Sequence, residues 1–147
     1  AEPVGTLRPH SRCLHSAEIG GEIIPRLIDE VPLLALAATQ ASGQTVIRDA
    51  AELRVKESDR LATTAAALSA MGAEIETTPD GLVVSGPTPL HAAQIDSYGD
   101  HRIAMMAGVA GLLASGETLV SGAECIATSF PEFAHTLAQL GAEVEVR

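Results

Sequence analysis

The sequence predicts an α/β fold (an α+β mix of helices and strands) made of two pseudo-symmetric units, with apolar helices inside and sheets wrapped outside. Three observations predict it. The chain repeats itself: Ser42-Gly43-Gln44-Thr45-Val46-Ile47 answers Ser115-Gly116-Glu117-Thr118-Leu119-Val120 at an offset of 73 residues. Met71-Gly72-Ala73-Glu74-Ile75-Glu76 answers Leu140-Gly141-Ala142-Glu143-Val144-Glu145 at an offset of 69, so a four-residue deletion reconciles the two segments. Such repeats imply a supersecondary unit that buries its face against its like. The third observation is that Val31 to Ala38 and Ile103 to Ala114 are apolar almost all round, the pattern of helices buried on every side.

Each unit reads in the same order. Pro25 suits a first helical turn, and a helix is expected from Ile24 to about Ala41, closed by Gly43. A strand follows at Thr45–Ile47, then a helix from about Lys56 to Met71 that stops at Gly72. Strands at 73–77 and 82–85 are joined by the turn Pro79-Asp80-Gly81. The second unit starts with a strand at 94–96 and a helix from Asp100, as N-cap, to Ala114. A strand at 118–121 comes next. The last helix has Ser129 as N-cap, Pro131 in its first turn and Gly141 at its end, and a final strand covers 143–146. Ala107, Gly108, Ala110 and Gly111 are small enough to let neighbouring elements approach the second apolar helix closely.

Composition narrows the function classes. The 147 residues are room for one domain. They are 46% hydrophobic but hold only two Phe, one Tyr and no Trp, which argues against a base-stacking surface. The net charge of −10 has the wrong sign for duplex binding, so no nucleic-acid partner is expected. The longest apolar run, Ile103 to Ala114, has twelve residues, where a bilayer span needs about twenty, so no membrane partner is expected either. Cys13 and Cys125 form no CxxC pair and Cys13-x-His15 is too sparse for zinc, which fits a reduced, cytoplasmic chain without a structural metal. The chain shows no signal peptide and opens without Met, which suggests a processed or truncated chain.

Cations are scarce and clustered: Arg54, Lys56 (the only Lys) and Arg60 fall within seven residues. Lys56 and Arg60 stand i, i+4 near an expected helix start, where free N–H groups and the dipole suit an anion. Glu57 and Asp59 between them either belong to a site or simply suit a helix N-terminus and pair with Arg60. Arg102 leads into a buried helix, so it either pairs with Asp100 or points at a ligand. Asp29-Glu30 sits at the foot of the other apolar helix, either favoured by the dipole or supplying a carboxylate base. The 73-residue offset sets Asp29 opposite Arg102, as a site shared between matched units needs. His10, His15, His91 and His135 read as surface residues, and His101 as structural.

Taken in order, Glu18-Ile19-Gly20-Gly21-Glu22-Ile23-Ile24-Pro25-Arg26-Leu27-Ile28-Asp29-Glu30, the run LRVKESDR at 53–60, Asp100-His101-Arg102-Ile103-Ala104-Met105 and Thr128-Ser129-Phe130-Pro131 closely resemble the 5-enolpyruvylshikimate-3-phosphate synthase (3-phosphoshikimate 1-carboxyvinyltransferase) family over essentially the whole chain. The resemblance implies two similar domains, each of three βαβαββ units in an inside-out α/β barrel. Two units are present here, so the chain resembles part of the C-terminal domain, its partner the missing N-terminal domain. Residues 1–18 are then the tail of an absent unit, 19–91 the first repeat unit and 92–147 the second.

The resemblance further implies transfer of the enolpyruvyl group of phosphoenolpyruvate to the 5-hydroxyl of shikimate 3-phosphate, with no cofactor and no metal. It makes Asp29 the proton acceptor at the shikimate hydroxyls and Glu57 the proton shuttle at the phosphoenolpyruvate methylene. Lys56 would contact shikimate 3-phosphate, Arg60 and Arg102 would grip phosphoenolpyruvate, and His101 would support the site. Two positions depart from the family pattern: Thr128 stands where many members have Lys, and Glu52 where some bring an Asn. Alternatives are enolpyruvyl transfer to UDP-N-acetylglucosamine and a non-catalytic phosphate-binding or assembly module. The chain alone is expected to be inactive, binding anions weakly.

Overall fold

The computed structural model describes residues 5, 6, 8, 10 and 12–146; the opening Ala1-Glu2-Pro3-Val4 of the expected tail lies outside them. The first unit runs β1 (Glu18–Ile19), α1 (Ile24–Leu27), α2 (Val31–Thr39), β2 (Gly43–Ile47), α3 (Arg60–Ala70), β3 (Glu74–Thr78) and β4 (Gly81–Gly86). That is one complete βαβαββ unit. The second runs β5 (Gln94–Asp96), α4 (His101–Gly111), β6 (Leu119–Ser121) and α5 (Phe133–Gln139), and ends as βαβα.

The first unit's strands form one sheet in the order β1-β2-β4-β3, with β1 parallel to β2 and the other pairs antiparallel. β5 and β6 form a separate parallel pair. The repeat is visible in this pairing: β1 pairs with β2 as β5 pairs with β6, and the bridge His15–Ser42 has its counterpart in His91–Ser115. Strand pairing thus reaches back to His15. The matched glycines share their backbone state, Gly43 with φ 101° and Gly116 with 96°, Gly72 with 93° and Gly141 with 95°. At Gly72 and Gly141 this left-handed conformation follows the last helical turn at low steric cost. Gly43 and Gly116 close no helix, because α2 already stops at Thr39 and α4 at Gly111, short of the expected ends at 41 and 114.

The first expected helix is broken. A 3-10 turn covers Gly21–Ile23, α1 follows, a second 3-10 turn covers Ile28–Glu30, and α2 begins at Val31. Pro32 explains the break: it has no N–H and its ring clashes with the carbonyl four residues back, so it can start a helix but not continue one. The second expected helix also starts late. Ala51–Val55 is a 3-10 turn, Lys56 is extended, and Asp59 caps α3 by accepting the N–H of Ala62 at 3.1 Å. The last helix is shorter than expected too. Ala123–Thr128 is a 3-10 turn, and Ser129 caps nothing, because α5 opens after Glu132 without a side-chain cap. The expected strand at 143–146 does not form. A strand needs a neighbour, and among the described strands β5 and β6 pair only with each other.

α2, α3 and α4 pack together under the inner face of the sheet. Val31, Leu36, Ile47, Leu61, Leu68, Leu82, Val84, Ile103 and Met106 form the centre of the core. Helices are therefore inside and strands outside, as expected, but burial is not all round. α3 buries Arg60, Leu61, Thr64, Ala67 and Leu68, one helical stripe. α4 likewise buries Ile103, Ala104, Met106, Ala107 and Ala110; Leu112 and Leu113, just past its end, are exposed, and so is Leu33 within α2. The described elements cover these helices on one side. Small residues do permit close approach: a Cβ at Gly108 would stand 3.1 Å from the Phe133 ring, which tucks α5 against α4.

Candidate active site

The site residues meet where the start of α3, the turn before α2 and the start of α4 converge. Arg60 opens α3 and is only 1% exposed. Its Nη1 donates to Asp29 at 2.8 Å, its Nη2 to Glu57 at 2.5 Å, and its Nε to Asp100 at 2.7 Å. One guanidinium therefore joins three carboxylates from three elements. A buried Arg is tolerable only with such pairing, and its planar fork of donors makes it possible.

Asp29 gathers the remaining cations. Lys56 Nζ lies 4.0 Å from Asp29 Oδ1 and 2.6 Å from Glu52. Arg102 Nη1 donates to the Asp29 backbone carbonyl at 3.1 Å and to Glu30 at 3.1 Å, and Nη2 lies 3.6 Å from Asp29 Oδ2. Asp29 and Arg102, matched by the 73-residue offset, are thus in contact. Five sequence-predicted residues, Asp29, Lys56, Glu57, Arg60 and Arg102, fall in one connected group, with Glu52 at its edge through Lys56.

Other predicted residues stand apart. His101 is half-buried at the first turn of α4 and makes no side-chain hydrogen bond with the described residues. Thr128 is exposed, and its hydroxyl donates to the Cys125 carbonyl at 2.7 Å, turning back into its own 3-10 turn. Arg54, part of the cation cluster in sequence, turns away. It donates to the carbonyls of Thr78 and Pro79 and to Asp59 at 2.9 Å, tying the β3–β4 turn to the α3 cap. Lys56, being extended, does not share a helix face with Arg60. The four loop and helix-surface histidines are exposed, and Cys13 and Cys125 are free thiols.

Two expectations about the helix starts change. Asp100 does not pair with the Arg102 side chain; it accepts the Arg102 backbone N–H and binds Arg60, forty residues earlier. The Ala62 N–H at α3 and the Arg102 N–H at α4 are already taken by Asp59 and Asp100, so these starts do not offer all their donors to a ligand. Asp100 and its neighbour Ser58 are site residues the sequence did not single out. The signals were an Asp before a buried helix, which reads equally well as an ordinary cap, and the places of both residues within the motifs at 53–60 and 100–105.

The electrostatics follow from these contacts. Burial alone would raise Asp100, but hydrogen bonds from Arg60, the Arg102 N–H and Ser58 hold it below its ordinary carboxylate value. Burial likewise opposes the charge on Arg60, and Asp100, Glu57 and Asp29 more than offset it. The hydrogen bond to Glu52 raises Lys56 above the usual lysine value, with further support from Asp29. All three groups are charged at neutral pH. The cluster can bind anions on its cations and exchange protons through Asp29 and Glu57.

The sequence model of EPSP synthase (3-phosphoshikimate 1-carboxyvinyltransferase) matches residues 4–137. The chain belongs to the EPSP synthase family. The 3-phosphoshikimate 1-carboxyvinyltransferase of Desulforudis audaxviator is 57% identical over 142 residues, 97% of this chain and 33% of the relative. That of Crocosphaera subtropica is 58% identical over 139 residues, 95% of this chain and 31% of the relative. Among solved structures, EPSP synthase from Acinetobacter baumannii superposes with a TM-score of 0.89 at 42% identity, covering 93% of this chain and 32% of that one. The enolpyruvyl transferase NikO from Streptomyces tendae superposes with a TM-score of 0.74 at 25% identity, covering 93% and 30%. The chain spans about a third of the length of these family relatives. No helix among the described residues is long and apolar enough to cross a membrane.

Proposed function

We propose that this chain supplies one side of the active site of a 3-phosphoshikimate 1-carboxyvinyltransferase, acting in the cytoplasm, where its free thiols stay reduced. The reaction joins the 5-oxygen of shikimate 3-phosphate to C2 of phosphoenolpyruvate and releases phosphate. The hydroxyl loses its proton, and the methylene carbon gains a proton and later gives one up. Asp29 takes the hydroxyl proton, and Glu57 delivers and recovers the proton at the methylene carbon. Lys56 faces shikimate 3-phosphate; Arg102 and Arg60 face phosphoenolpyruvate. His101, Glu52 and Thr128 are supporting positions, of which Glu52 touches the cluster through Lys56.

The observation that carries this reading is that Arg60 holds Asp29 and Glu57 at once, so the two proton-handling groups share one anchor. It also sets the order of events. The cations are paired with Asp29, Glu30, Glu52 and Glu57. An arriving phosphate or carboxylate displaces these side chains and frees them for proton transfer. Lys56 and Arg102 are partly exposed and meet the anion first; Arg60 lies behind them.

The reading extends to organisation. Residues 1–18 lead in, 19–91 form the first unit and 92–147 the second, and the remaining unit and the N-terminal domain are the partners that close the cleft. Catalysis here requires two substrates held in register and shielded from water. The isolated 147 residues are accordingly inactive and bind anions weakly.

The test is a chimera in which residues 4–137 replace the matching third of the Desulforudis audaxviator relative, assayed by phosphate release. Turnover is expected, with a loss of about 10²- to 10⁴-fold in Asp29→Asn and Glu57→Gln. A folded but inactive chimera, or unchanged turnover in both variants, refutes the reading.

A further inference from the structure

Asp100 is 0% exposed, and every acceptor position of its carboxylate is used. Oδ2 accepts from Arg60 Nε at 2.7 Å and from Ser58 Oγ at 2.9 Å. Oδ1 accepts from the Arg102 backbone N–H at 3.0 Å and from Arg60 Nη2 at 3.3 Å. Its own N–H donates to the Ser97 carbonyl at 3.0 Å, which fixes the backbone beneath it. The carboxylate thus clamps the Nε edge of Arg60. The outer end of the fork carries Asp29 on Nη1 and Glu57 on Nη2, the nitrogen that Asp100 Oδ1 also reaches.

We propose that Asp100 is a positioning residue for the transfer reaction: by clamping one edge of the rigid Arg60 fork it sets where Asp29 and Glu57 stand, without itself touching substrate. The inference rests on the roles given to Asp29 and Glu57 above. A guanidinium is planar, so fixing one edge fixes the direction of the donors on the other. The repeat shows that the scaffold does not itself need an acid here. At the 73-residue offset Asp100 corresponds to Leu27, and α2 starts with no side-chain cap at all. A helix cap alone is served as well by Ser or Asn. Buried ion pairs are in general no more stabilising than apolar contacts of the same volume. What a buried Asp supplies, and those alternatives do not, is a charged two-oxygen clamp on Arg60.

The test uses the chimera described above, with Asp100→Asn, Asp100→Ser, Arg60→Lys and the double variant Arg60→Lys/Asp100→Asn. Asn and Ser both keep an acceptor for the Arg102 N–H, and either one serves if the other fails to fold. The expected result is a folded chimera with a lowered unfolding midpoint, a fall in kcat of about a hundredfold, and little change in KM for phosphoenolpyruvate, because Lys56 and Arg102 remain. The double variant should be no slower than Arg60→Lys alone, since Asp100 acts through Arg60. Parental kcat in Asp100→Asn overturns the proposal, as does a double variant slowed by the product of the single factors. Crystal structures of the same variants decide independently of turnover. Displacement of the Asp29 and Glu57 carboxylates by about 1 Å supports the clamp, and unmoved carboxylates overturn it. If the parent chimera folds but is inactive, the preceding reading falls, and the clamp stands or falls on those carboxylate positions.

Discussion

Residues 18–86 and 94–146 carry the same repeat, yet the first unit forms a four-stranded sheet over a packed core while the second forms a two-stranded ladder over half-buried helices. Met71 and Leu140 show the contrast at one matched position. Both end the last helix of their unit just before a left-handed glycine, but Met71 is 0% exposed and Leu140 is 80% exposed. The local sequence is equivalent; what differs is whether a β3–β4 hairpin folds back to cover it. Helix, cap and turn are local products, whereas strand and burial require a partner. The charged cluster of the candidate site sits between the units. It takes Asp29 and Arg60 from the covered unit and Asp100 and Arg102 from the open one.

The largest expected effect lies at that junction. Asp100→Ala should destabilise the 147-residue chain by about 3–5 kcal/mol in urea titrations, because it breaks the buried Arg60 pair and leaves Arg60 Nε, Ser58 Oγ and the Arg102 N–H without their acceptor. A cost under about 1 kcal/mol would mean the junction is wetter than its burial indicates.

Next comes the matched pair. Met71→Ala should cost about 2–5 kcal/mol, as a core truncation. Leu140→Ala should stay within about 0.5 kcal/mol, as a surface change. Equal costs would break the comparison between the units.

A third effect concerns pH. Asp100 is depressed in the folded chain, so the unfolded chain binds its proton first. Its contribution is fully present above the ordinary carboxylate pKa of about 4 and is lost as pH falls through the lower folded value. Denaturant midpoints from pH 7 to pH 2 should therefore drop at the acid end. Asp100→Asn should lower stability near neutrality and flatten that acid limb; an unchanged limb would assign it to other carboxylates.

The smallest contrast is between the glycines. Gly72→Ala and Gly141→Ala each force a side chain into left-handed backbone, at about 1–2 kcal/mol. A Cβ at Gly72 also meets His91 Nε2 at 2.7 Å, while Gly141 faces open space. Gly72→Ala should be the costlier by a few tenths of a kcal/mol. Thermal melts of both variants, with His91→Ala combined with Gly72→Ala as a control, measure the difference.

The sequence by itself determined the repeat, the helix stops at Gly72 and Gly141, the strand at 94–96 and the Asp100 cap, because each depends on a few neighbouring residues. It also brought Asp29, Lys56, Glu57, Arg60 and Arg102 forward as candidates through charge scarcity and family motifs. Tertiary structure alone decided which of those charges meet. Arg54 lies in the same run as Arg60 but binds the β3–β4 turn, and the Asp100 carboxylate pairs with the Arg60 guanidinium across forty residues rather than with that of its neighbour Arg102. Tertiary structure also decided that 143–146 is not a strand, although its residues match those of β3. The physical reason is the same in each case. A charge is neutralised, and a strand completed, by whatever group the fold brings within a few ångströms, and no local pattern encodes that neighbour.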